Sequence, residues 1–386
     1  MESNSILNNK QFISIFLIAF LVYFSNGMLA QTLPKYAFDL GATSQIIGVL
    51  SGTFAMCALL LRPVSGLMVD NEDRRLLLRI TIGVILVSVT GLTFSKQVWL
   101  LIVFRGINGL GWGIGSTLCM TIASSCFSKE KLGSGIGIYG LGQTIAQAIA
   151  PVIGLNVAQA YSYNFLYQFN VIICAAAFVL TYFIKLDTSS KKERKYSVSL
   201  KEMVCLSAIP PSVVTLCNSI AQASVTAFLV IFANSISVTQ IGVFFTVQAA
   251  IVLVARPLWG KLTDKYGCLK VIIPCEFLIA SGLLTIFFSQ ALWQFLLAAV
   301  LVGAGTAGNQ PVLMAECIRR APPEQRGRAS NTSYMGTDIG GVVGSNLAGL
   351  LVTLIGYRNL YLIFILPILM ATFMYTVFEK RRVGNL

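Results

Sequence analysis

The sequence predicts an all-helical membrane protein with twelve transmembrane helices in two pseudo-symmetric six-helix bundles. Three observations predict this fold: a shortage of charge, a series of long apolar runs, and an internal repeat. Of 386 residues, 56% are hydrophobic and 11% are charged, whereas soluble domains carry about 25% charged residues. So few charges cannot cover a soluble surface. The composition therefore excludes a soluble enzyme, a disordered chain and a secreted disulfide scaffold.

The apolar runs define the predicted spans. Each is long enough to cross a bilayer as a helix, and lipid offers the backbone no other hydrogen-bond partner. The runs do not alternate as the strands of a membrane barrel do. The first run is too long for a signal-peptide core and predicts a retained span. The predicted spans are 11–36, 45–67, 76–94, 98–120, 133–158, 163–185, 204–232, 239–262, 269–289, 292–315, 327–355 and 358–378.

The distribution of cations predicts the orientation in the membrane. Of 28 lysines and arginines, 22 lie on the side that carries both termini and three lie on the other side, while Arg62, Arg105 and Arg256 fall inside spans. Such a bias predicts cytoplasmic termini. It also explains the net charge of +13, because cations at the cytoplasmic surface of a bilayer account for it without any binding of nucleic acid. The basic linker 186–203 separates an N-terminal bundle, 1–185, from a C-terminal bundle, 204–386.

An internal repeat relates the two halves. At a shift of 194 residues, Arg62-Pro63-x-x-Gly66-x-x-x-Asp70 aligns with Arg256-Pro257-x-x-Gly260-x-x-x-Asp264. The same shift aligns Gly109 and Gly111 with Gly303 and Gly305. A constant offset across several hairpins indicates duplication. Two six-helix halves in the same orientation are typical of one large class of secondary transporters.

These motifs resemble those of the major facilitator superfamily, and within it the twelve-helix drug:proton antiporter branch. The segment after the second span is similar to the family's G-x-L-a-D-r-x-G-r-r motif, with Asn71 and Asp73 departing from it. The fourth span carries Arg105-Gly106-x-x-Gly109-x-Gly111, and the fifth carries Ala150-Pro151-x-x-Gly154, which is similar to the antiporter motif. The resemblance implies alternating access, in which the two bundles rock about a central site.

The resemblance also implies a gating latch on the cytoplasmic side. Its predicted members are Gly66, Asp70, Arg74, Arg75, Gly260 and Asp264, with Asp70 in a loop and set against a helix start, whose dipole favours an anion. The alternative is a charge cluster that only directs membrane insertion.

Ionisable residues inside the spans are candidates for proton coupling. An intramembrane charge needs a wet cavity or a partner, and the candidates are Asp338, Glu276 and Arg105. Asp338 lies near the middle of its span, where a carboxylate could alternate between protonated and ionised states. Arg105 shares one helix face with Asn108 and Trp112 by its spacing. The alternative for both carboxylates is structural pairing, for instance with Arg256.

Polar residues inside the spans predict a substrate cavity. Amides are unfavourable in lipid and should face the bundle interior. The predicted substrate-binding residues are Asn26, Gln31, Asn108, Trp112, Tyr139, Gln143, Gln147, Asn218, Gln222, Gln248, Asn309 and Tyr334.

The residue inventory narrows the function. There is no histidine, no C-x-x-C pair and no phosphate-binding loop, so we expect neither an enzyme nor a cofactor or metal. The prediction is a monomer in a bacterial inner membrane that exports a small drug or metabolite in exchange for protons. Two alternatives stay open: a proton-coupled importer or symporter of a small metabolite, and a membrane receptor or assembly partner without transport activity.

Overall fold

The computed structural model describes residues 10–127, 132–184, 204–322 and 325–384, leaving out the side chains of residues 63, 64, 66, 67, 69–71, 132–137, 326, 327 and 380–384. All regular structure in these ranges is helical. The first six helices are α1 (Lys10–Asp39), α2 (Ser44–Asn71), α3 (Arg74–Phe94), α4 (Val98–Ser125), α5 (Leu132–Ala160) and α6 (Tyr163–Leu180). After a 3₁₀ turn, Leu206–Ala208, follow α7 (Ile209–Ser235), α8 (Gly242–Tyr266), α9 (Cys268–Phe288), α10 (Leu292–Arg320), α11 (Arg326–Ile363) and α12 (Ile365–Gly384).

The described residues contain 11 helices long and apolar enough to cross a membrane, so the prediction of an all-helical, multi-span protein is confirmed. The last of them covers 52 residues, Arg328–Glu379, whereas one crossing needs about 20. This segment contains a non-helical residue, Gly356, with φ 80° and ψ 169°. Gly356 lies in the gap predicted between the last two spans; the count of twelve stays a prediction.

The helices extend beyond the apolar runs at several ends. The prediction that Gly66 and Asp70 lie in a loop is wrong, because α2 remains helical through Asn71. Helix α8 likewise includes Gly260 and Asp264. An apolar run ends where the surroundings become polar, but a helix satisfies its own backbone and continues until a cap or turn stops it. Asp73 provides such a cap for α3, accepting a bond from the Arg75 amide at 2.8 Å.

The chain divides into two compact units by contact. The first comprises Met1–Leu33 and Met56–Val198, and the second comprises Pro34–Ala55 and Ser199–Leu386. Residues 34–55 therefore cluster with the C-terminal helices, although the sequence places them in the N-terminal half. Inside the second unit, a Cβ on Gly48 would lie 2.5 Å from the Ser345 carbonyl oxygen of α11. Glycine permits this close backbone approach between α2 and α11.

Each unit contains the same glycine contact between its third and fourth spans. In the first unit, Gly111 of α4 packs on Thr81 and Ile85 of α3. In the second unit, Gly305 of α10 packs on Cys275 and Ile279 of α9. The three positions of the first contact are each followed, 194 residues later, by the equivalent position of the second contact, with Cys275 in place of Thr81. The shift found in the sequence is therefore also a shift between equivalent packing contacts.

Glycines along α11 set its distance from α7 within the second unit. A Cβ on Gly336 would lie 2.7 Å from the Ser212 carbonyl oxygen, and one on Gly344 would lie 2.6 Å from that of Ile220. These separations are too short for any side chain. Helix α11, which carries Asp338, is thus held against α7 by direct backbone contact.

Candidate functional site

A buried carboxylate lies at the junction of α7, α9 and α10 in the second unit. Glu276 of α9 is 1% exposed. Its Oε1 accepts a hydrogen bond from Asn218 Nδ2 of α7 at 2.7 Å and another from Asn309 Nδ2 of α10 at 2.8 Å. Asn218 Nδ2 also donates to the Val214 carbonyl oxygen of its own helix at 2.9 Å. Three residues predicted separately from the sequence therefore form one cluster, called the Glu276 cluster below.

The Glu276 cluster contains more acceptors than donors. Glu276 Oε2, Asn218 Oδ1 and Asn309 Oδ1 are all buried and have no hydrogen-bond partner among the described residues. Glu276 forms no ion pair with a described residue either. An unpaired buried acceptor normally costs about 1–3 kcal/mol. Such an imbalance marks a site that is completed by something other than the chain.

A buried cation lies among α1, α3 and α4 of the first unit. Arg105 of α4 donates from one guanidinium nitrogen to Asn26 Oδ1 of α1 at 3.1 Å and to Asn108 Oδ1 at 3.2 Å. Asn108 Nδ2 in turn donates to Ser88 Oγ of α3 at 3.0 Å. The predicted shared face of Arg105 and Asn108 is confirmed by this contact. These four residues form the Arg105 cluster, which holds a charge of opposite sign to Glu276.

An aromatic pair extends the α1–α4 contact beyond the Arg105 cluster. The rings of Tyr23 and Trp112 meet edge to face with centroids 4.6 Å apart. Tyr23 precedes Asn26 by about one turn, and both rings are half-buried. The predicted residue Trp112 thus lies beside an aromatic side chain that the sequence analysis did not select.

The second predicted carboxylate, Asp338, lies on α11 and is 8% exposed. Its neighbours along the chain, Gly336 and Gly340, face the α7 backbone. The asparagines of the Glu276 cluster bond to Glu276.

The other predicted substrate-binding residues differ in exposure. Gln31 is buried, and its Oε1 has no donor among the described residues. Tyr139 is also buried. Gln143, Gln222 and Gln248 are half-buried, whereas Gln147 and Tyr334 are exposed. Along α5, the predicted residues Tyr139, Gln143 and Gln147, spaced four residues apart, therefore become progressively more exposed.

The predicted gating residues are only partly described. Arg74 and Arg75 are half-buried at the start of α3, and Gly260 and Asp264 are exposed on α8. For Gly66 and Asp70 the structure describes only the helical backbone of α2, and the Asp70 side chain lies outside the described part of the chain.

Sequence reasoning missed a second buried ionic group, the Arg320 network. The Arg320 side chain, 4% exposed, bonds to Glu316 Oε1 at 2.8 Å, to Tyr375 Oη at 2.9 Å and to Glu379. It joins the ends of α10 and α12. The spacing of Glu316 and Arg320, four residues apart on one helix, was the available signal. Arg62, which the sequence places inside a span, is also buried, and its guanidinium lies 3.4 Å from the Ser116 and Thr117 hydroxyls of α4.

No group of three or more cysteine, aspartate or glutamate side chains in the described part of the chain could hold a metal ion. The polar clusters instead combine one charged side chain with neutral amides inside apolar helices. Such an arrangement can bind or release an ion, or hold a polar group of a solute, away from lipid.

Comparison with known proteins identifies the class. The family model of the Major Facilitator Superfamily matches residues 15–209 and 212–385, and the chain therefore belongs to this superfamily of membrane transporters, which are not enzymes. The staphylopine export protein of Staphylococcus aureus is 24% identical over 91% of this chain and 92% of its own. The multidrug resistance protein MdtG of Enterobacter lignolyticus is 23% identical over 99% and 95%.

Solved structures share the fold. A POT family transporter, crystallised in complex with a thioalcohol-conjugated peptide, superimposes with a TM-score of 0.81 and 13% identity, covering 96% of each chain. At this identity the likeness concerns the fold alone. The family resemblance predicted from the motifs is confirmed.

Proposed function

We propose that this transporter exports a small organic compound in exchange for protons, by alternating access. Two relatives support the direction, since their names describe export of staphylopine and resistance to multiple drugs. Both align over at least nine-tenths of this chain. The surroundings of the buried carboxylates support the coupling of transport to protons.

The observation that carries proton coupling is the surroundings of Glu276. A carboxylate that is 1% exposed and forms no ion pair with a described residue is costly in a membrane-spanning helix. The cost is removed when the carboxyl group takes up a proton and returns when it releases one. Glu276 therefore serves as a proton carrier, and the buried Asp338 of α11 serves as the second.

The polar groups of the first unit contribute to solute binding. Arg105, held by Asn26 and Asn108, and the adjoining Trp112 offer a cation, amides and an aromatic ring on neighbouring turns of α1 and α4. The half-buried Gln143, Gln222 and Gln248 and the buried Gln31 and Tyr139 are proposed to add further contacts.

The remaining assignments complete the proposal. The chain crosses the membrane twelve times as two six-helix bundles, 1–185 and 204–386, with both termini cytoplasmic, and acts as a monomer in a bacterial inner membrane. The cytoplasmic gate is formed by Gly66, Asp70, Arg74, Arg75, Gly260 and Asp264.

Replacing Asp70 with asparagine is expected to abolish transport without affecting membrane insertion.

The proposed exchange is tested in everted membrane vesicles. Respiration acidifies the vesicle lumen and quenches an acridine dye, and a transported compound restores the fluorescence as protons leave in exchange. We expect the wild-type protein to give this response with at least one compound of a drug and metabolite panel. Glu276→Gln and Asp338→Asn, which remove a charge with little change in volume, should abolish it.

The matched control is Asp39→Asn. Asp39 is an exposed carboxylate that pairs with Lys35 on the same helix, so its loss should leave the response unchanged. A wild-type response in both Glu276→Gln and Asp338→Asn would contradict proton coupling through these groups.

Import is the second candidate. The fifth span has Ala150 and Leu155 where the antiporter motif has glycine, which leaves the direction less constrained than in other drug:proton antiporters. Right-side-out vesicles with an inwardly directed proton gradient distinguish the two directions. Accumulation of a compound there, with no response in everted vesicles, would favour import.

A further inference from the structure

We propose that the Glu276 cluster binds a monovalent metal cation, Na⁺, through Glu276 Oε2, Asn218 Oδ1 and Asn309 Oδ1. These are the three buried oxygens that lack a donor among the described residues. Each belongs either to the Glu276 carboxylate or to an amide bonded to its Oε1 at 2.7 or 2.8 Å. The three oxygens therefore belong to side chains of α7, α9 and α10 that already contact one another.

The hydrogen bonds already present favour an ionised carboxylate. Both amides point their N–H donors at Glu276 Oε1, which stabilises a negative charge on this group. The same orientation leaves the amide carbonyl oxygens available as acceptors. Carboxylate and amide oxygens are hard ligands of the kind that alkali and alkaline-earth cations prefer.

The charge of the cluster selects a monovalent ion. Glu276 is the one formally charged side chain of the cluster, since Asn218 and Asn309 are neutral amides. One Na⁺ would neutralise the carboxylate, whereas a divalent ion would leave a net positive charge buried in the membrane. A single proton would also neutralise it, but one donor cannot satisfy three acceptors. A metal ion can contact all of them.

The internal repeat shows that this set of oxygens is not part of the shared helix packing. At the shift of 194 residues, Ile82, Phe24 and Gly115 correspond to Glu276, Asn218 and Asn309. None of these three has a side-chain oxygen. The second half therefore carries three side-chain oxygens on its first, third and fourth spans. The first half has no side-chain oxygen at the equivalent positions of its own spans.

The three side chains of the site differ in burial. Glu276 and Asn309 are buried, while Asn218 is half-buried, although its Oδ1 is itself buried. That Na⁺ also acts as a coupling ion rests on the proposed function, but its binding does not.

Equilibrium binding of ²²Na⁺ to the purified full-length protein tests the site. We expect saturable binding of one Na⁺ per chain, displaced by unlabelled Na⁺ and not by choline at equal ionic strength. Glu276→Gln should abolish binding. Asn309→Leu should weaken it by about tenfold or more, since it removes one ligand from a buried charge. Asn359→Leu is the matched control, because Asn359 is exposed and bonds only within its own turn.

The midpoint of thermal unfolding distinguishes a variant that has lost the Na⁺ site from one that has not folded. Na⁺ should raise the midpoint of thermal unfolding of the wild type and of Asn359→Leu, and should not raise that of monodisperse Glu276→Gln. Absence of saturable ²²Na⁺ binding to the wild type, or equal binding to wild type and Glu276→Gln, overturns the site. If proton-driven efflux persists in that case, the proposed function stands. If Na⁺ binds but no compound is exchanged for protons, the proposed function fails and the site stands.

Discussion

Asparagine side chains are the hydrogen-bond partners of two buried charges of this protein, Arg105 and Glu276. Its amide carries an acceptor oxygen and a donor nitrogen. Asn26 and Asn108 present their oxygens to the Arg105 cation, whereas Asn218 and Asn309 present their nitrogens to the Glu276 carboxylate. One side-chain type thus serves opposite charges by rotation of the amide.

The Arg320 network gives a prediction for stability at the scale of one side chain. Replacing Arg320 with alanine leaves the buried Glu316 and the half-buried Glu379 without their shared cation, and breaking a buried ionic group in this way costs about 3–5 kcal/mol. SDS-induced unfolding followed by tryptophan fluorescence would measure this loss in the free energy of unfolding.

Arg319→Ala provides the comparison for that measurement. Arg319 pairs with the same Glu316, but its side chain is 68% exposed, and exposed pairs contribute about 0–1 kcal/mol. Equal losses in the two variants would show that burial does not determine the contribution of this network.

At the residue scale, the sequence predicted contacts within a helix and not those between helices. The spacing of Arg105 and Asn108 sufficed to place them on one face. The pairing of Glu276 with Asn218, which is 58 positions away, depends on how α7 and α9 are rotated against each other. Hydropathy does not report that rotation, so each residue of the Glu276 cluster was predicted singly.

At the scale of elements, glycine has two different tasks in this chain. Most described glycines permit close packing between helices, as Gly111 and Gly305 do. Gly41, Gly267 and Gly356 instead have positive φ angles. Gly267 is a one-residue joint between α8 and α9, and Gly356 interrupts α11 with almost the same backbone angles. Amino-acid composition does not distinguish glycines that permit close packing from glycines that adopt positive φ angles, because the residue type is the same in both cases.

Gly356→Ala is expected to destabilise the protein through backbone strain alone. A Cβ at Gly356 would meet nothing within 4 Å, but its backbone angles belong to a region that is essentially restricted to glycine, at a cost of about 1–3 kcal/mol for other residues. The same SDS titration would register the loss.

Gly140→Ala is the control for this change. A Cβ at Gly140 also meets nothing within 4 Å, yet this residue is helical, where alanine is favoured over glycine by about 1 kcal/mol. Its stability should stay equal or rise. A fall comparable to that of Gly356→Ala would argue against the strain explanation.

At the scale of the whole molecule, charge predicts orientation. The bias of 22 cations to three across the predicted loops should place the C-terminus in the cytoplasm. A green fluorescent protein fused after Leu386 should therefore be fluorescent, and alkaline phosphatase fused at the same point should be inactive. The reverse pattern would refute the orientation.

The sequence predicted the helices within several residues and the family from its motifs, but it did not predict the composition of the two contact units. Apolar runs indicate which segments lie in the membrane, but they do not indicate which helices pack against each other. Residues 34–55 therefore read as part of the N-terminal half, although Gly48 packs on Ser345 of α11.

The glycine contact shared by Gly111 and Gly305 separates what the two halves have in common from what differs between them. An added methyl group at either glycine would push the neighbouring helices apart, so the two halves tolerate the same small residue at the same place. The buried charges do not follow this repeat, since Arg105 lies in one half and Glu276 in the other. Equivalent backbone packing in this protein is therefore compatible with opposite electrostatics.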